Sequence, residues 1–164
     1  MTVEIHPDAK VSTLADIEDS IRGSIIRIGP HSVVDSFVKI KPAGGNGDLI
    51  IGANCQINSG CVLYTGSGIS IGNGVLIAAN TTLAAANHEF SRRDIPIYKQ
   101  GHSTERNGII VEDDVWIGAN SVLLDGTYIE AGAIVAAGSV VRGHLSRFGI
   151  FAGTPANQIG TRPK

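Results

Sequence analysis

His88, in Ala86-Asn87-His88-Glu89-Phe90, is the side chain of this 164-residue sequence best suited to moving a proton. Imidazole titrates near neutrality in its ordinary state, so a solvent-reachable histidine meets the requirement for a general base. The other four, His6, His31, His102 and His144, include no close pair at ligand spacing, so the sequence offers no metal site and no zinc centre of three converging histidines. Cys55 and Cys61 are too few for a disulfide framework. Both fall at inward positions, where a cysteine acts as apolar filler rather than as a nucleophile. Gly44-Gly45-Asn46-Gly47 is glycine-rich but lacks the Gly-Lys-Ser/Thr of a phosphate-binding loop, and reads as a surface loop at a corner.

The composition says what must position these groups. Residues are 43% hydrophobic and 17% charged, with a net charge of -2 and 21 glycines. Aliphatics are 22 Ile and 13 Val against 8 Leu, a bias toward strands. The mild negative charge offers no field for a phosphate backbone, so nucleic acid is an unexpected partner. No apolar run approaches the roughly 20 residues of a membrane helix, and no basic-then-apolar leader opens the chain; membrane insertion is not expected and a cytoplasmic protein is.

A six-residue repeat organises the chain. From Val111 an aliphatic recurs at Ile117, Leu123, Ile129, Val135 and Val141; the same spacing links Ile28, Val34 and Ile40, then Ile51, Ile57 and Leu63, then Ile71, Ile77 and Leu83. Four residues after an aliphatic comes a second inward position, as at Ser32, Cys55, Cys61, Thr81, Ser121 and Ser139. Three residues after it, ten of fifteen hexads carry Asn, Asp or Gly, types that tolerate a positive φ and so close a tight corner. A period of six cannot be an α-helix. Three hexads per turn predict an all-β spool of about five three-sided coils, interrupted by one long loop. The expected organisation is a single domain over 1–164: a cap at 1–24, coils over 25–144 with a loop at 89–110, and a closing segment at 145–164. Thr13 and Asp16 suggest a short helix in the cap. The loop holds Arg92, Arg93, Lys99 and Arg106, and an excursion this long within a compact coil is usually functional.

The residue before each aliphatic points outward. On the second side these read Val33, Gln56, Leu76, Trp116 and Ile134, and on the third Lys39, Val62, Thr82, Val122 and Val140. Seven apolar residues in two stripes predict self-association. Ala119 and Ala137 lie eighteen residues apart, hence on successive coils of one side, and are too small to cover their own backbone amides.

The hexads resemble the left-handed parallel β-helix of hexapeptide-repeat proteins, and the handedness is implied by that resemblance. Asn87-His88-Glu89-Phe90, Ile95-Pro96-Ile97, Gln100-Gly101-His102 and Asp113-Asp114-Val115-Trp116-Ile117-Gly118-Ala119-Asn120 look like the hexapeptide acetyltransferases, in particular the sugar and polysaccharide O-acetyltransferase branch related to the maltose and galactoside enzymes. The resemblance implies acetyl-CoA as cosubstrate and a homotrimer. It implies His88 as catalytic base, Asn58 and Asn87 at the acceptor, and Trp116, Ala119 and Ala137 along the pantetheine arm. Where the family often has a basic residue this chain has Asn157, so the coenzyme phosphates are expected to fall to Arg162 or Lys164. The acidic residue that the sugar enzymes carry after the matching asparagine is replaced by Thr65, which argues against a simple disaccharide acceptor.

The leading expectation is acetyl transfer from acetyl-CoA to a hydroxyl of a sugar or polysaccharide precursor. The alternative is N-acetylation of a nucleotide-linked amino sugar, or acetylation of a xenobiotic; a noncatalytic scaffold stands last.

Overall fold

A strand of two or three residues closed by a corner can bury its apolar side only by stacking on a copy of itself, and the chain does this in three sheets. The computed structural model describes residues 3–105 and 107–164. The first side stacks Val3–Ile5, Ile26–Ile28, Leu49–Ile51, Ile69–Ile71, Ile109–Val111, Thr127–Ile129 and His144–Leu145. The second stacks Lys10–Val11, Val33–Val34, Gln56–Ile57, Leu76–Ile77, Trp116–Ile117, Ile134–Val135 and Gly149–Gly153, closed by Ala156–Thr161. The third stacks Asp16–Ile17, Lys39–Lys41, Val62–Tyr64, Thr82–Ala84, Val122–Leu124 and Val140–Val141. The architecture is a left-handed parallel β-helix with 2% of residues helical.

Pairing is in register, so aliphatics of one hexad position form ladders: Ile28 on Ile51, Ile51 on Ile71, Ile71 on Val111 and Val111 on Ile129. All fifteen hexad aliphatics are buried. The second inward positions are buried too, and their polar atoms find carbonyls on the neighbouring coil or, for Ser139, in the same one. Ser32 Oγ donates to Gly52 O at 2.7 Å and Thr81 Oγ1 to Gly118 O at 3.2 Å. These bonds remove the cost of burying hydroxyls in an aliphatic core.

The corners follow the expected chemistry with one exchange. Asn54, Asn80, Asp114 and Asn120 take φ of 57–59°. Gly66, expected to do the same, does not; it is glycine because a Cβ there would stand 2.5 Å from Ala43 O. His31, Phe37 and Phe148 adopt positive φ at the equivalent place, so the coil imposes the corner even where the residue type disfavours it.

Two expectations need correction. Residues 1–24 are not a helical cap: Ile5, Val11 and Ile17 are themselves spaced by six and build a complete coil, with Asp16 inside a strand and Thr13 in a turn. At the other end, His144–Leu145 and Gly149–Gly153 begin a further coil before Ala156–Thr161 folds back antiparallel on the second side. The spool therefore has six complete coils and a partial seventh, not five. The long loop ends at Gly108, since Ile109–Val111 is already a strand. Among the described residues, no helix is long and apolar enough to cross a membrane.

The first side carries a surface network that links folding to pH. The Tyr128 hydroxyl and the Ala131 N–H both donate to Glu112 and hold its carboxyl below the ordinary glutamate value. The Arg147 N–H at 2.6 Å and the His144 ring at 2.9 Å do the same for Glu130. A carboxyl depressed in the folded state adds stability above its unfolded value and loses it as pH falls through the folded one. Thermal melts are therefore expected to be flat near neutrality and to decline as pH drops below the ordinary value of 4.5, with Glu112→Gln blunting that decline.

Candidate active site

The excursion leaves the third side after Thr82–Ala84 and rejoins the first at Ile109–Val111. Its return is pinned by Asp125, only 7% exposed, which accepts the Gly108 N–H at 2.8 Å and the Asn107 N–H at 3.4 Å. Asp125 occupies the inward position that Thr65 and Ala85 fill in the two preceding coils. A buried carboxylate at a place otherwise held by small residues is the one sequence signal that could have revealed this anchor.

Outgoing and returning arms are laced together at His88. Ser103 N–H donates to Asn87 O at 2.9 Å and Glu89 N–H to Gly101 O at 3.0 Å, forming a bridge between His88 and His102. His88 Nδ1 lies 3.3 Å from Gly101 O. A carbonyl oxygen only accepts, so Nδ1 carries the hydrogen and the Nε2 lone pair is left for a substrate proton. The exposed ring is fixed further by stacking on His102, centroids 4.8 Å apart. Beside it lies a cavity of about 230 Å³ lined by Asn87, His88, Phe90, Ser103, Glu105, Leu124 and Arg142, together with Asn107 and Asp125. Asp125 and Arg142 were not singled out from sequence, and Gly101 and His102 entered only within the Gln100-Gly101-His102 resemblance, with no role of their own. Arg106, counted there among the basic loop residues, lies outside the described residues.

The other expected residues occupy different corners. Trp116, 51% exposed, stacks on the second side between Leu76 and Ile134. Ala119 and Ala137 follow it at the corner between second and third sides, on successive coils. Their N–H groups donate to no described residue, as a ligand running along the corner would require. Gly118 lets these coils approach: a Cβ on it would stand 2.4 Å from Ala137 N. Asn58 sits at the same corner two coils earlier than Ala119. His88 is at the opposite end of the third side, roughly 15 Å away for about five extended residues. One chain therefore does not bring Asn58 or the two alanines to the imidazole.

Arg162 lies at the corner between first and second sides, because Ala156–Thr161 runs back from Gly153 to Gly149. There its guanidinium pairs with Asp114 at 2.7 Å, the width of the second side away from Ala119 and Ala137; Lys164 is exposed at the chain end beyond it. Cys55 and Cys61 are buried, which pushes both thiols up and leaves them in the unreactive form. Among the described residues, no group of three His, Cys, Asp or Glu side chains could hold a metal.

Comparison with known proteins agrees with this fold. The family described as bacterial transferase hexapeptide (six repeats) matches residues 108–143, and the hexapeptide repeat of succinyl-transferase matches 48–85. A 2,3,4,5-tetrahydropyridine-2,6-dicarboxylate N-acetyltransferase of Staphylococcus aureus is 51% identical over 51 residues, which is 31% of this chain and only 21% of that enzyme. The structure of AntD, an N-acyltransferase from Bacillus cereus, with dTDP and 3-hydroxybutyryl-CoA superposes with a TM-score of 0.81 at 26% identity, covering 98% of this chain and 83% of AntD. An AntD variant with dTDP-4-amino-4,6-dideoxyglucose and coenzyme A gives 0.82 at 27% identity, covering 99% and 84%. The hexapeptide-repeat-containing acetyltransferase VCA0836 of Vibrio cholerae gives 0.63 at 26%, covering 96% and 72%. These matches support the hexapeptide-repeat acetyltransferase family. The S. aureus relative is an N-acetyltransferase and AntD an N-acyltransferase, and the maltose and galactoside branch is not among these relatives.

Proposed function

We propose that this chain transfers an acetyl group from acetyl-CoA to the amine of a nucleotide-linked amino sugar, with His88 as general base. The observation that carries the reading is the His88 ring itself: Nδ1 committed to Gly101 O, Nε2 free beside a cavity at the mouth of the excursion. The nature of the N-acyl relatives moves the amine ahead of the sugar hydroxyl expected first.

The neutral acceptor nitrogen attacks the thioester carbonyl while Nε2 takes its proton; the C–S bond breaks, the imidazolium returns that proton to the departing sulfur so that the coenzyme leaves as its thiol, and an acetamide remains. Exposed corner amides are suited to the pantetheine arm and to the developing oxyanion. Trp116, Ala119 and Ala137 are the residues we assign to the coenzyme, Asn87 to the acceptor beside His88, and Asn58 to an acceptor reaching across copies. Arg162 is already paired with Asp114, which favours Lys164 of the two basic residues for coenzyme phosphates.

The separation of His88 from the alanine corner, with the apolar stripes Val33, Leu76, Trp116 and Ile134 on the second side and Val62, Val122 and Val140 on the third, supports a site completed between copies in a homotrimer. Thiol release from acetyl-CoA is the test. Turnover is expected with nucleotide-linked amino sugars and not with neutral disaccharides; release with hydroxyl acceptors alone would return the chain to O-acetylation.

A further inference from the structure

The Gly44-Gly45-Asn46-Gly47 insertion has no part in the chemistry above, yet it is built against it. A Cβ on Gly44 would stand 3.2 Å from Cε1 and Nδ1 of His102, the ring that stacks on His88. Gly44 also holds φ at +86°, so both its conformation and its neighbours select glycine. Between this backbone, His102 and Arg22 lies a second cavity of about 370 Å³.

Its lining is Arg22, Gly44, Gly45, Asn46 and His102, with no carboxylate, whereas the His88 cavity contains Glu105. Arg22 forms no ion pair among the described residues. The N–H groups of Gly44, Gly45 and Asn46 donate to no described residue. Gly45 is buried, where an unpaired amide is uncommon and points to a ligand that satisfies it. A guanidinium, an imidazole and consecutive free amides on a turning backbone form a donor-rich concavity of the kind that takes phosphate.

We infer that this cavity binds phosphoryl groups, namely the diphosphate of the acceptor, and thereby holds the acceptor's reacting end in the adjoining His88 cavity. The identity of the acceptor rests on the acetyl-transfer reading; the binding of the anion does not. His102 lines this cavity and His88 the other, and the two rings stack with centroids 4.8 Å apart, a separation short enough for one sugar diphosphate to reach from one to the other.

Calorimetric titration of the full chain with inorganic pyrophosphate, UDP and coenzyme A separates the possibilities. Pyrophosphate and UDP are expected to bind the wild type, and Arg22→Ala to weaken both about tenfold or more through loss of a charge-assisted contact. Arg93→Ala, an exposed loop arginine outside the lining, is expected to change neither, and Arg22→Ala to leave coenzyme A unaffected. Failure of both anions to bind the wild type, or equal binding to wild type and Arg22→Ala, would overturn the inference. Pyrophosphate binding without UDP would assign the cavity to a free anion, and loss of coenzyme A affinity in Arg22→Ala would assign it to the coenzyme; either overturns the acceptor assignment. Should acetyl transfer fail with every acceptor, Arg22-dependent pyrophosphate binding would still stand, so the two failures are distinguishable.

Discussion

His88→Ala is expected to lower kcat by about 10² to 10⁴ while leaving the melting temperature and the KM for acetyl-CoA close to wild type, because positioned general-base help contributes on that scale. The ring is exposed and contributes nothing to the aliphatic core, so its removal falls in the class of surface substitutions worth within about 0.5 kcal/mol. Steady-state thiol release at saturating acetyl-CoA, with thermal melts of both proteins, reads the two quantities separately. Equal kcat in wild type and variant would remove His88 from the chemistry. A variant that fails to fold would instead show that the His88 ring, through its stack on His102 and its bond to Gly101 O, holds the excursion in place.

Ile77→Ala is expected to cost about 2–5 kcal/mol, the range for removing most of a large buried aliphatic. Ile77 is fully buried and lies in the middle of a ladder, between Ile57 below and Ile117 above. In a coil that touches only its neighbours, a cavity there weakens two interfaces at once. Ile77→Val removes one methylene and is expected to cost about 0.5–1.5 kcal/mol. Denaturant melts at one fixed protein concentration rank the pair, since association would make the midpoint concentration-dependent. An alanine variant no less stable than the valine variant would mean that the ladder does not carry the fold.

The ladder was legible because six-residue spacing puts every aliphatic on one face, and Ile28 through Leu83 and Val111 through Val141 are uninterrupted within their groups. The first coil obeys the same spacing at Ile5, Val11 and Ile17, but Ile5 is 45% exposed and eleven residues separate Ile17 from Ile28, so end effects masked a regular turn. The excursion was legible by where it leaves the coil. Its internal order was not, because the partner that sets the His88 tautomer is the backbone carbonyl of Gly101, which no residue type advertises. Arg162 shows the same limit: a side chain expected to stand in for the basic residue that Asn157 replaces is carried to another corner by an antiparallel return of the chain, and only tertiary structure shows Asp114 waiting there.

In the mechanism proposed above, an imidazole with a free Nε2 stands where a thioester is held by bare corner amides. A crystal structure with coenzyme A bound tests it most directly. The pantetheine arm is expected along the Ala119 and Ala137 amides, with the thiol close enough to a His88 ring that an acceptor atom fits between sulfur and Nε2. Coenzyme bound along another side of the spool, or with every His88 Nε2 out of reach of its thiol, would contradict it.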